Sequence, residues 1–400
     1  MTTTSDLHFM HLAYAEALKA VGNSDPNPAV GAVVVSPAGE IVSTGYTRRA
    51  GYAHAERAAL EAVASVDLGE CSLYVTLEPC CHFGRTPPCT TAVLDRRIRR
   101  VVIGERDYAA EVKGESVALL QAAGLEVSVL PETLFGREKW FTTAPFFDMR
   151  KSGMPHVILK WAQTADGSLA PIQGSSGPIS GEQAAFATAA MRSLFKLTVA
   201  TPGVVQIDLP RLTVRLGDGN PSGFSASGLS PFFEELMLYQ NSVNSELQLN
   251  AASETAKAPA RAFMVAQDDD ETSAKVKALQ SSLAGTSKIL PVNRHALKSN
   301  FAESLKATLR QLAADGYNSV LIEAGPQFSE LLIAQGLVDA VAVYHSKIRS
   351  DAMLWSKPGR GNAMSRALAA TVAMPHLEGF QLLEHASWPA DEFFFFIKNA

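Results

Sequence analysis

Two stretches, AHAERAAL at residues 53–60 and LEPCCHFGRTPPC at residues 77–89, decide how the first part of this 400-residue chain folds. The first reads as the opening of a helix running from about His54 to Ser65. The second follows a strand at Ser72 to Thr76 and forms a cysteine-bearing loop. A helix at about Thr90 to Asp95 then leads to a strand at Arg100 to Ile103. Upstream, Phe9 to Ala20 places apolar residues at helical spacing. The valine-rich Ala29 to Val35 reads as a strand, joined through a Pro37-Ala38-Gly39 turn to a partner strand at Glu40 to Tyr46. Strands alternating with helices make this an α/β layered domain.

The residue types in these two stretches suit metal chemistry. His54, Cys80 and Cys89 offer one imidazole and two thiolates, and three protein ligands leave the fourth tetrahedral position of a zinc ion open. Such a site is catalytic rather than structural, because the metal lowers the pKa of its water toward neutrality. Glu56, two residues from His54 and not itself a ligand, is placed to move protons. His-x-Glu followed by Pro-Cys is the pattern of zinc deaminases as a class. Cys81 or His82 could complete a closed four-ligand knuckle, but adjacent residues such as Cys80 and Cys81 rarely point at one ion. Cys71, before the strand, reads as a small core residue.

Composition narrows the class further. Apolar residues make up 47% of the chain and charged residues 19%, which fits a globular protein. A formal net charge of −5 supplies no dominant basic field, so a nucleic-acid partner is not expected. Met1 to Leu7 lacks the basic and apolar regions of a secretory signal, and no apolar run suits a membrane span. The four cysteines all fall between positions 71 and 89, which points to metal and a reducing cytoplasm rather than to a disulfide framework.

The pattern breaks at Phe147 to Pro155, giving an expected zinc-binding domain at residues 1–150 and a second domain at residues 151–400. The second opens with a strand at His156 to Trp161. Later come a helix at Ala302 to Ala314, a strand at Ser319 to Glu323, a helix at Ser329 to Gln335 and a strand at Leu337 to Tyr344. The apolar run Phe393 to Ile397 reads as a buried C-terminal strand. Residues 217–259, rich in Ser, Asn and Gly, read as a flexible insertion. A Gly-Pro turn at Gly325 and Pro326, after one strand and before a helix, is a seat for phosphate.

The eight residues CHFGRTPP between Cys80 and Cys89, with PNPAVG ending at Gly31, resemble the bifunctional deaminase–reductase of riboflavin biosynthesis; many other zinc deaminases have only two residues there. The resemblance continues through LKWAQTADGSLA at residues 159–170, Gly174-Ser175-Ser176, Arg192, the Asp208 to Arg215 segment and LIEAGPQFSELLIAQGLVD at residues 321–339. It implies a cytidine-deaminase-like three-layer domain followed by a dihydrofolate-reductase-like domain with a mostly parallel sheet. It implies deamination of a phosphorylated diaminopyrimidine at a zinc site, then reduction of its ribosyl group by NADPH; the partners expected are that small substrate and further copies of the chain (a homo-oligomer), with no nucleic acid and no membrane. Asn27, His82 and Arg85 would face the deaminase substrate. Lys160, Ser176, Arg192, Leu212, Arg215 and Glu323 would meet the reductase substrate. Ala162, Asp208, Gly325, Pro326, Gln327, Phe328, Ser329, Glu330 and Leu331 would hold NADPH. Lys160, Asp166 and Asp208 would organise the pocket.

Some positions depart from that family. It usually has Ser or Asn at Cys81, a large residue at Pro178, Thr at Val204 and Asp or Asn at Leu209. Its Asp-Ser strand end has no match between Glu246 and Ser253. Most of these departures lie on the NADPH side, so the alternative expectation is an active deaminase with a C-terminal domain that only binds substrate or builds an oligomer.

Overall fold

The computed structural model describes residues 3–84, 86–108, 115–165, 179–212, 260–267, 269–281, 286–292, 301–347, 377, 379–388 and 390–399. The chain divides into two compact units, Met1–Pro155 with Ala313–Asn318, and His156–Leu312 with Ser319–Ala400. No described helix is long and apolar enough to cross a membrane.

The first unit is a five-stranded sheet in the order β2-β1-β3-β4-β5, built from Gly31–Val35 (β1), Ile41–Tyr46 (β2), Ser72–Val75 (β3), Arg100–Ile103 (β4) and Glu126–Val129 (β5). β1 is antiparallel to both β2 and β3, whereas β3, β4 and β5 run parallel. Strand periodicity shares β1 between two cores. Ala32 and Val34 join Ala55, Ala59 and Leu60 of the helix Ala55–Glu61 (α2), Val93 of Cys89–Asp95 (α3), and Val117 and Leu120 of Glu115–Ala122 (α4). Val33 and Val35 join Met10, Ala13 and Tyr14 of Thr4–Leu18 (α1). Helices on both faces make the three layers that the family resemblance implied.

The sequence expectation started α1 at Phe9, missing its first turn. The cause is a capping box: the Asp6 N–H donates to Thr3 Oγ1 at 3.1 Å, while the Thr3 N–H donates to Asp6 Oδ2 at 3.0 Å. The α2 expectation ran too long, since the helix ends at Glu61, and β1 begins at Gly31 rather than Ala29. The helices Gly136–Thr142 (α5) and Ala144–Ser152 (α6) follow β5, and Gly153 ends α6 with φ of 69°. Two glycines let helices sit close to the sheet. A Cβ at Gly31 would fall on the backbone of Ala13 and Ala17 in α1, and one at Gly45 on that of Ala55 and Ala59 in α2.

Asp6 also ties α1 to the sheet. Its buried carboxylate accepts from Tyr74 Oη at 3.0 Å and from Arg100 Nη1 at 2.6 Å and Nη2 at 3.1 Å. Burial by itself would raise its pKa, but the Arg100, Thr3 and Tyr74 donors outweigh burial and hold the carboxyl well below the ordinary range. A depressed folded pKa gives stability that is fully present above the unfolded value of about 3.9 and is lost as pH falls through the folded one. Asp6→Asn is expected to cost about 1.5–3 kcal/mol at neutral pH. The gap between wild-type and variant melting temperatures should narrow below about pH 4; a gap that stayed constant in acid would refute the assignment.

The second unit holds an eight-stranded sheet in the order β12-β13-β11-β6-β10-β7-β8-β9. Its strands are His156–Gln163 (β6), Leu197–Ala200 (β7), Ala260–Ala266 (β8), Ser287–Val292 (β9), Ser319–Glu323 (β10), Ala340–Ser346 (β11), Phe380–Ser387 (β12) and Asp391–Lys398 (β13). From β11 to β9 every neighbour is parallel, and β13 and β12 add an antiparallel edge. The parallel strands β7, β8 and β10 are buried at every residue, the near-continuous apolar pattern of strands covered on both faces. β13 instead alternates: the expected C-terminal strand is present, with Phe393 and Phe395 buried and Phe394, Phe396 and Ile397 half-buried. Its helices are Glu182–Ser193 (α7), Pro202–Asp208 (α8), Asp270–Ser281 (α9), Phe301–Ala314 (α10) and Pro326–Ala334 (α11). α11 starts earlier and β11 later than the sequence suggested. Residues 217–259 lie outside the described residues.

Candidate active site

His54 is the N-cap of α2, Cys80 follows β3 by five positions, and Cys89 opens α3. The three ligand atoms lie within 4.8 Å of one another, the metal-ligand cluster found among the described residues. His54 Nδ1 is the nitrogen that faces the thiols, 3.6 Å from Cys80 Sγ and 3.4 Å from Cys89 Sγ. Zn–N near 2.1 Å and Zn–S near 2.3 Å at a tetrahedral angle give an N···S edge of about 3.6 Å. The observed edges match it, so these side chains fit zinc. Cys89 also donates its backbone N–H to Cys80 Sγ at 3.3 Å. The Cys89 thiol, that N–H and His54 all bring the Cys80 thiol down toward the thiolate, against burial.

Glu56 lies in the first turn of α2 and is 4% exposed. Burial raises its carboxyl pKa to about 6, and the charge of Cys80 adds to that, while His54 and contact with Cys89 oppose it. A carboxyl poised there can both accept and return a proton near neutral pH.

A cavity of about 380 Å³ opens onto these groups. Asn27 and His82 line it together with His54, Glu56 and Cys80, so the structure brings these expected site residues to one place. Arg85 lies outside the described residues. Sequence reading missed Thr47, Asp107 and Arg150, which also line the cavity. Asp107 had a signal, since it follows the carboxyl end of parallel strand β4, where open α/β sheets place ligands.

In the second unit, Lys160 and Glu323 stand side by side on parallel strands β6 and β10, with Ala200 beside Glu323 on β7. Arg192, in the last turn of α7, holds the Glu323 carboxylate through Nε at 2.6 Å and Nη2 at 2.9 Å. Burial works to raise the Glu323 pKa, but Arg192 and Lys160 hold it down at about 2. Lys160 Nζ sits 5.3 Å from the centre of the Tyr344 ring. Leu212 is buried in a core with Ala200, Val205 and Phe263. Arg261 on β8, missed by the sequence reading, is close enough that Arg192 lowers its pKa in addition to burial.

Beyond β10, Gly325 is the N-cap of α11, and a glycine there brings no side chain between the helix N-terminus and an anion. Pro326, Gln327, Phe328, Ser329, Glu330 and Leu331 form its opening turns, and Ser329 Oγ donates back to the Gly325 carbonyl at 3.0 Å. Ala162 lies near the end of β6, and Asp208 ends α8. Leu209 is left-handed, with φ of 40°; Asn and Asp adopt that region more readily, which gives the Asp or Asn usual in the resembling family a physical reason. Val204 packs against the Ala200–Phe263 core. Asp166, Ser176, Pro178 and Arg215 lie outside the described residues.

Residues 3–105 match the cytidine and deoxycytidylate deaminase zinc-binding region, and residues 155–348 the RibD C-terminal domain. The riboflavin biosynthesis protein RibD of Escherichia coli strain K12 is 31% identical over 339 residues, covering 85% of this chain and 87% of that protein. RibD of Aquifex aeolicus is 41% identical over 210 residues, and that match spans only 58% of its length and 52% of this chain. A deaminase/reductase structure from Thermotoga maritima covers 98% of this chain and 99% of its own at 24% identity, with a TM-score of 0.71. That likeness shows the fold: a deaminase-like and a reductase-like domain in one chain.

Proposed function

Because the chain belongs to the RibD family of riboflavin-biosynthesis proteins, we propose that it performs two consecutive reactions on one phosphorylated pyrimidine. It deaminates 2,5-diamino-6-(5-phosphoribosylamino)pyrimidin-4(3H)-one, then reduces the ribosyl side chain of the product to ribityl with NADPH. The observation that carries this reading is the cavity that gathers His54, Cys80, Glu56, Asn27 and His82.

In the first reaction His54 Nδ1, Cys80 Sγ and Cys89 Sγ would hold a zinc ion, which when bound would supply the activation of water for attack on the amino-bearing ring carbon. Glu56 would carry the water's two protons in turn, the first to the ring nitrogen as the C–O bond forms and the second to the amino group, which then leaves as ammonia when the C–N bond breaks. Asn27 orients the ring, while His82 and Arg85 face the rest of the substrate. Burial of Glu56 keeps bulk water from competing for its proton.

In the second reaction NADPH supplies hydride. The N-terminus of α11 suits its phosphates, with Ala162, Asp208 and residues 325–331 around it. Lys160, Ser176, Arg192, Leu212, Arg215 and Glu323 place the substrate. Arg192 is itself fixed by Glu323, so its orientation is set before any ligand arrives. A reducing cytoplasm is part of this reading, since the four cysteines cluster around one metal-ligand set rather than spreading as a disulfide framework. A homo-oligomer belongs to the same reading, and light scattering on the purified protein tests it.

Incubation with the diaminopyrimidine phosphate, followed by mass spectrometry, tests the whole. Without NADPH the expected product is the deaminated ribosyl compound; with NADPH it is the ribityl compound. Deamination with no NADPH oxidation would leave the second unit a binding domain, and no deamination would overturn the reading.

A further inference from the structure

Glu78 stands two residues before the metal ligand Cys80, is 3% exposed and has no part in the proton transfers above. Its carboxylate is fully engaged. Oε2 accepts the Asp107 N–H at 3.3 Å, and Oε1 accepts the Ser116 hydroxyl at 2.5 Å and the Val117 N–H at 3.4 Å. Its own N–H donates to the Glu105 carbonyl at 2.9 Å. One residue at the end of β3 is therefore bonded to the chain leaving β4 and to the first turn of α4.

Three donors converge on Glu78, and its two carboxyl oxygens accept from all of them. The segments it joins bear on the site. Glu78 leads directly into the Cys80 loop, and Asp107, whose N–H it holds, lines the same cavity as His54, Glu56 and Cys80.

We propose that Glu78 is a positioning residue that locks the Cys80 ligand and the Asp107 wall to one another through the first turn of α4. The inference rests on the zinc reading of His54, Cys80 and Cys89, and not on the identity of the pyrimidine.

Glu78→Gln keeps the shape but turns an NH₂ toward one of the donors. Competition against a zinc chelator is expected to show about a tenfold loss of zinc affinity, the lower end of what loss of an outer-shell partner brings. Deaminase kcat should fall more than KM rises. Ser116→Ala removes one donor and should give a smaller loss of zinc affinity in the same direction. Val117→Ala is the control, since it keeps its N–H but trims the core around α4. It should lower the melting temperature and leave zinc affinity unchanged. Wild-type zinc affinity in Glu78→Gln overturns the proposal. If that variant does not fold, Ser116→Ala against Val117→Ala decides: a zinc loss confined to Ser116→Ala supports it, and equal zinc affinity in the two overturns it. The chelator reads metal alone, so failure of the pyrimidine assignment would leave this result standing and be recognised separately.

Discussion

Glu56→Gln is expected to leave zinc bound and the fold intact while lowering deaminase turnover by about 10²–10⁴-fold, the usual contribution of a positioned acid–base group. The substitution preserves volume in a side chain that is almost wholly buried, so no cavity is created. It leaves the three metal-binding atoms in place, because Glu56 lies beside the His54, Cys80 and Cys89 cluster rather than within it. What is lost is the ability to hold a proton and give it back. Ammonia release gives the rate and elemental analysis gives the zinc content. Unchanged turnover would remove Glu56 from the chemistry. Zinc loss together with activity would instead make it part of the metal site.

The second large effect concerns stability. Glu323→Leu is expected to destabilise the second unit by about 3–5 kcal/mol, because it leaves the largely covered Arg192 side chain, 18% exposed, opposite an apolar one. For a unit of this size that is a fall in melting temperature of about 6–20 °C. Arg192→Met combined with Glu323→Leu should recover most of the loss, since the desolvation penalty of both ions disappears with the pair. Calorimetry on the full chain, following the transition that NADPH shifts, measures both variants. A double variant no more stable than Glu323→Leu would show that the two side chains do not act as a pair. Recovery of stability without recovery of NADPH oxidation would separate the structural share of the pair from its place in the reductase site.

Local chemistry explains what the sequence made legible. His54 and Glu56 are two apart, and Cys80 and Cys89 flank one loop, so a short window holds the whole metal set in order. The strands Arg100–Ile103 and Ser319–Glu323 were readable because they are compact apolar runs with turns beside them. The bonds that complete the sites were not. Ser116 meets Glu78 across 38 positions, and Arg192 meets Glu323 across 131. Only the sheet topology makes them neighbours. The first turn of α1 was hidden for another reason: Thr3 and Asp6 look like a polar terminus until their reciprocal bonds are seen. The Nδ1 atom as the metal-facing nitrogen is likewise a property of the His54 rotamer, which no spacing reveals.

Gly45 gives the deaminase site its depth. Position 45 lies on β2 directly beneath the helix that begins just after His54 and carries Glu56, and a single methyl group there would collide with that helix's backbone. The approach of the helix that bears Glu56 to the sheet is therefore fixed from behind, by a hydrogen atom where any other residue would have a carbon. Variation that reshapes the pocket is open on its lining at Gly84, where an added Cβ meets nothing. At its back wall the spacing is already at the closest approach that two backbones allow.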